Sequence, residues 1–163
     1  MTTKTKTLAH LGIMDAALLT LACLIPAASH LFAFPLYIFN PMLALLLAAI
    51  LLGRDWRNAL LMAVLLPAVS CLLTGMPTAG KMVCMMAELA TVAAVFSWLK
   101  TKWSVLPAIL VAILTAKAVY YGMKALVLAP AVLVDTQWSV QLLAVLAWGG
   151  LFSLLYKRLN SNA

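Results

Sequence analysis

Lys117, Tyr120, Tyr121 and Lys124 stand at i, i+3, i+4 and i+7 in an otherwise apolar run, the spacing of one helical face. Two ammonium groups and two phenols on one face suit an anionic or polar ring-bearing ligand, and such a face is a poor neighbour for lipid. Glu88 falls about halfway along the preceding apolar run, and Lys117 near the middle of its own. An ionisable group at the centre of a bilayer costs at least about 2.5–3.5 kcal/mol and normally faces a partner or a cavity. Opposite charges at matching depth on consecutive antiparallel helices therefore predict an ion pair. It either sets helix register or forms the floor of a polar cavity.

Cys84 and Glu88 are four residues apart and share a face, with Met82, Met85 and Met86 close by. Thiolate and thioether are soft ligands for copper, zinc or a metal held in a cofactor. The same side chains also pack well as core. The three cysteines, Cys23, Cys71 and Cys84, show no paired spacing, so no disulfide framework is expected. The chain has no H-E-x-x-H, no nucleophile–base pattern and no G-x-x-x-x-G-K loop. An enzyme is not expected, and ATP-driven work would fall to a partner.

The elements that must position these groups follow from composition. The 163 residues are 66% hydrophobic and 9% charged, with a mean hydropathy of +1.11. Repeated apolar runs of roughly twenty residues indicate an integral membrane protein. The first run is followed by Pro26 and more apolar sequence rather than a small-residue cleavage site, so it reads as a span and not a signal peptide. Helices are expected at 11–29, 41–53, 58–73, 79–99, 104–128 and 137–156. Residues 1–163 thus form a single all-α domain, a compact bundle of six transmembrane helices.

Eight of the eleven cations orient it, and Lys81, Lys117 and Lys124 fall outside the pattern. Lys4 and Lys6 precede the first run, Arg54 and Arg57 lie in the second connection, Lys100 and Lys102 in the fourth, and Lys157 and Arg158 close the last. The positive-inside rule then places both termini in the cytoplasm. The net charge of +7 reads as cytoplasmic loops against anionic lipid, not as a nucleic-acid surface. Trp56 and Trp103 beside these cations are interfacial anchors. Asp15, near the inner end of the first helix, is expected to be structural.

The first external connection, His30 to Asn40, is almost as apolar as the spans but contains Pro35 and ends in Asn40-Pro41. Asn40 suits an N-cap and Pro41 the first helical position. The second helix, 41–53, would then be only roughly 20 Å long against a hydrocarbon core of about 30 Å. Residues 30–40 must complete its outer part, as a lid over an outward pocket or as an aromatic belt. The external Thr74–Gly80 loop, with Gly75 and Pro77, and the fifth connection around Asp135 converge on the same side. The expected ligand-binding set is Phe34, Tyr37, Asn40, Met76, Glu88, Lys117, Tyr120, Tyr121, Lys124 and Trp138. Small-residue stripes, Gly12/Ala16/Thr20 and Ala44/Ala48, allow close helix packing, within the bundle or against another membrane subunit.

The run FPLYIFNPMLALLLAAILLG, then P-x-x-x-x-L-x-x-G-M-P from Pro67 to Pro77 and MMAELATVAAVFSWL from Met85 to Leu99, resembles the substrate-binding S-components of energy-coupling-factor (ECF) vitamin transporters. The resemblance covers most of the chain. It implies a bacterial cytoplasmic-membrane protein that takes a vitamin or related micronutrient from outside and carries it inward. It implies a cup closed by the first and third external loops, with the fourth to sixth helices giving specificity. The first three helices of such proteins dock a coupling subunit that works with ATPases, often through A-x-x-x-A. This chain has Gly12-x-x-x-Ala16-x-x-x-Thr20 instead, so it would dock differently or act alone. One branch resembles small solitary cobalamin transporters with a cysteine sulfur as axial cobalt ligand. That makes cobalamin the first-choice substrate and Cys84, or less favourably Cys71, the ligand to its cobalt. No intrinsic cofactor is implied. The alternative is a structural or regulatory membrane subunit without a ligand, recognisable by a dry bundle in which Glu88 bonds Lys117 and no pocket opens, whereas a binding component would show an outward cavity lined by Glu88, Lys117, Tyr120 and Tyr121 under the lid segment.

Overall fold

The computed structural model describes residues 3–31, 39–53, 55–128 and 138–161. They form six helices: α1 (Thr3–Leu31), α2 (Pro41–Gly53), α3 (Trp56–Thr74), α4 (Ala79–Leu99), α5 (Val105–Leu128) and α6 (Trp138–Ser161). The ranges of α2 and α4 are those expected from the sequence. α1 starts eight residues earlier than expected and runs through Pro26, while α6 continues to Ser161. Helices α3 to α6 are long and apolar enough to cross a membrane; the apolar stretch of α1, Leu11–Pro26, and α2 are shorter. The exterior is correspondingly oily, with Leu72, Leu126 and Leu154 all more than two-thirds exposed.

Local signals set the helix ends. Asp55 caps α3 by accepting the Arg57 N–H at 3.1 Å, which starts the helix two residues before the expected Asn58. Gly75 ends it with φ of 71°, the left-handed conformation glycine adopts without strain, and its N–H reaches the Cys71 carbonyl at 2.9 Å. Buried Ser70 ties this turn down. Its hydroxyl lies 2.8 Å from the Met76 carbonyl and 3.3 Å from that of Ala22 on α1. Asp15 accepts from Asn58 Nδ2 at 3.1 Å, joining α1 to the start of α3.

These contacts also give direction. Asp15 and Ala22 meet Asn58 and Ser70 in ascending order, so α1 runs parallel to α3. Phe96, late in α4, stacks edge-on against Phe152 and Tyr156, late in α6. α4 and α6 therefore finish at one end of the bundle, together with Lys100, Lys102, Lys157 and Arg158. Lys102 lies 4.4 Å from the centre of the Trp98 ring and Arg57 5.8 Å from that of Trp56. Lys102 thus pairs with Trp98, five residues before Trp103.

The core is centred on α2, which packs against α1, α3, α4 and α6. Met42, Leu43, Leu46, Leu47, Ala49 and Ile50 are buried on a helix of 13 residues. α2 starts inside the bundle, not at its end. Its cap, Asn40, meets Glu88, nine residues into α4 and about 13 Å from where α4 begins. The short second helix therefore reflects a chain that enters the helix partway down.

Candidate functional site

Glu88 is buried, 2% exposed, on the face of α4 turned to α5. One carboxylate oxygen, Oε1, takes two donors: Lys117 Nζ at 2.8 Å and Asn40 Nδ2 at 2.9 Å. The ion pair foreseen from matching depth is present. Asn40 is placed for this by an unusual backbone, φ 49°, which asparagine tolerates better than most residues. Its own carbonyl accepts from Leu43 and Ala44 N–H, and its Oδ1 from Leu43, so the same residue caps α2 as expected. The partial positive charge of the α2 N-terminus also faces the carboxylate.

Three elements therefore converge on one buried oxygen, and every buried side-chain polar atom among the described residues has a partner. The cluster carries no net charge. Asn40→Ala removes one donor and the side-chain cap together. A loss of about 1–2 kcal/mol is expected, measurable by denaturant titration in micelles, with Asn40→Asp worse because it places a second carboxylate beside Glu88.

Beyond the pair, α5 presents its polar face toward the end where α4 begins. Lys117 Nζ lies 5.5 Å from the centre of the Tyr120 ring, and Lys124 Nζ lies 5.9 Å from Tyr120 and 5.8 Å from Tyr121. The two rings meet edge-on with centroids 5.2 Å apart. Both faces of this arrangement are electron-rich, so two ammoniums are held by cation–π attraction. Lys117, Tyr120, Tyr121 and Lys124 share a half-buried face, as the spacing predicts.

Cys84 lies on the same seam, one turn from Glu88, and is fully buried as a free thiol. A metal approaching its sulfur must enter between α4 and its neighbours. Among the described residues no three His, Cys, Asp or Glu side chains gather as a metal-binding group.

The other expected site residues divide. Met76 is half exposed at the tip of the α3–α4 turn, and its carbonyl is held by Ser70 and by Thr74 Oγ1 at 3.1 Å. It is not brought to Glu88 by any bond. Phe34 and Tyr37 lie outside the described residues, as does most of the expected 30–40 lid and Asp135. Trp138 opens α6, and its side chain is also outside them.

One further contact had no signal in the sequence. Trp148 Nε1 donates to the Phe39 carbonyl at 2.7 Å, so the residue before Asn40 is tied to α6 as Asn40 is to α4. Trp148 also separates two apolar grooves. One, of about 200 Å³, is lined by Phe39, Leu143, Ala144 and Leu151 among others. The other, of about 170 Å³, takes in Ala44 and Ala48 of the second small-residue stripe. Neither reaches Glu88, Lys117, Tyr120, Tyr121 or Lys124. The grooves offer no polar group to orient a ligand, so the candidate site is the α4–α5 seam.

Compared with protein-family models, curated proteins and solved structures, the chain matches none.

Proposed function

We propose that this chain is a micronutrient-binding membrane transport component, similar to the S-components of ECF vitamin transporters. In this reading it crosses the bacterial cytoplasmic membrane six times with both termini inside. The end where α4 begins and α5 finishes faces outward. The clustering of Lys100, Lys102, Lys157 and Arg158 at the opposite end supports that orientation. A small ligand is taken up over the α4–α5 seam and passed inward.

One observation carries the proposal: two cations and two phenols line a half-buried helical face that an apolar bundle has no packing reason to contain. Glu88, Lys117 and Asn40 form the floor beneath it. Asn40 and Phe39 tie the segment before α2 to α4 and α6. A ligand that moves the floor would therefore move that segment.

Cobalamin is the first-choice substrate, with Cys84 as axial ligand to its cobalt. The exposed small-residue face of α1, Gly12, Ala16 and Thr20, is the surface offered to a coupling subunit if one is used.

The Glu88–Lys117 bond favours a second reading. Glu88, Lys117 and Asn40 satisfy one another, which is also what a structural or regulatory subunit requires of its buried polar groups.

Uptake separates the two. A bacterial strain lacking its own vitamin importers is expected to regain growth at limiting vitamin when it expresses this chain. Tyr120→Ala is expected to reduce that rescue at least tenfold, by analogy with other sites where an aromatic anchor is removed. If cobalamin is the vitamin, Cys84→Ala changes the absorption spectrum of the bound cobalt; an unchanged spectrum removes Cys84 as ligand. No rescue by any vitamin supports the structural subunit.

A further inference from the structure

The Glu88–Lys117 contact sets the register of the α4–α5 seam. The two helices are consecutive, joined by a short turn, and pack against each other along their length, so they run antiparallel. Seven residues back from Glu88 on α4 stands Lys81; seven residues on from Lys117 on α5 stands Lys124. Seven residues fall within about 20° of two full turns and rise about 10 Å. Lys81 and Lys124 therefore lie level with each other, on the faces that Glu88 and Lys117 occupy two turns deeper. Halfway between them, Cys84 and Tyr121 are level in the same way.

Two like charges thus face each other across the mouth of the seam. The chain has four acidic residues. Asp15 bonds Asn58, Asp55 caps α3 and Glu88 pairs with Lys117. Asp135 lies outside the described residues. Among the described residues, Lys81 and Lys124 have no carboxylate partner. Lys117, which the sequence pattern grouped with Lys124, is already neutralised.

We infer that Lys81 and Lys124 form a clamp for one carboxylate or phosphate group, with Tyr120 and Tyr121 beneath it to receive an apolar or ring-bearing remainder. This deepens the proposed transport reading by making the ligand an organic anion, and it moves the charge recognition from Lys117 to Lys81. A lipid headgroup presents the same anionic chemistry at this depth, so the test has to separate the two sources.

The full-length protein is purified into nanodiscs of phosphatidylcholine, and its thermal midpoint is followed against inorganic phosphate at constant ionic strength. Phosphate is expected to raise the midpoint. Its apparent affinity should fall at least about tenfold in Lys81→Gln/Lys124→Gln, the loss of two charge-assisted contacts. Lys81→Arg/Lys124→Arg should retain the response, which guards against a fold defect, and Lys157→Gln/Arg158→Gln should match wild type. Repeating the titration in discs containing phosphatidylglycerol identifies the source. A response lost there shows that a headgroup occupies the clamp, and one that persists shows a free anion.

An absent wild-type response, or an equal one in the Lys81→Gln/Lys124→Gln protein, overturns the clamp. So does a response that emerges only with Asp135→Asn, because Asp135 would then be the resident counter-ion. No vitamin enters this measurement. Its failure leaves vitamin uptake standing, and failed uptake with an intact phosphate response removes only the transport reading.

Discussion

Glu88→Ala is expected to destabilise the bundle by about 3–5 kcal/mol, the usual loss when one partner of a buried ion pair is removed. The size follows from what is left behind. Lys117, whose side chain is only 13% exposed, and Asn40 Nδ2 both lose their acceptor, Glu88 Oε1. An unpaired ammonium at that depth must deprotonate or draw in water. Both are costly in an apolar surrounding. Glu88→Gln should recover part of the loss, because its amide oxygen can still accept from Asn40 while the charge on Lys117 remains unmatched.

Removing both charges together, Glu88→Met with Lys117→Met, should cost much less than the sum of the single changes. A double-mutant cycle measured by denaturant titration in micelles is then expected to show coupling of more than about 1 kcal/mol. Additive single effects would mean that the two side chains do not act as a pair. Binding data on the same proteins would separate the floor of the site from its mouth, since the deeper pair is neutral and the outer lysines are not.

Phe96→Ala should be the most damaging of the apolar truncations, at about 2 kcal/mol or more. Phe96 is fully buried late in α4, with its ring centroid 5.1 Å from that of Phe152 and 6.1 Å from that of Tyr156. In a membrane the transfer of apolar surface contributes little between helices, because lipid is as apolar as the core; packing remains. Loss of roughly 100 Å³ of side chain, at about 24 cal/mol per Å³ of cavity left, gives the stated figure. Phe96→Leu refills most of that space and should cost under about 1.5 kcal/mol. The same titration checks both. Equal losses for Ala and Leu would point to the edge-on aromatic contacts, rather than volume, as the source.

The residues differed in how much they disclosed in advance. Pro41 and Gly53 mark the ends of α2, and Ala79 lies between Pro77 and Gly80 at the start of α4, while Lys100 and Lys102 close the apolar run after Leu99. Glu88 and Lys117 could be paired from depth alone, since few partners exist for a charge in such a chain. Polar Thr3 to His10 gave no apolar run to extend, yet α1 includes them.

The role of Asn40 as a donor to Glu88 was out of reach. It depends on α2 starting partway down the bundle, a tertiary property separated by 48 residues from its partner. The Trp148 bond to the Phe39 carbonyl spans 109 residues and carries no motif. Lys81 was readable only once the contact of Glu88 with Lys117 fixed which residues of α4 and α5 stand level. It had been visible as a cation outside the topological pattern, without a partner to give it meaning. The register of one seam supplied that partner.

The most direct measurement of the central claim is native mass spectrometry of the full-length protein, released from nanodiscs after incubation with a panel of vitamins and their precursors. The account predicts a one-to-one complex with a member of the panel that carries a carboxylate or phosphate. The complex should be lost or strongly weakened in Lys124→Gln and kept in Lys157→Gln. A wild-type bundle that stays intact and takes up no member of the panel would contradict it.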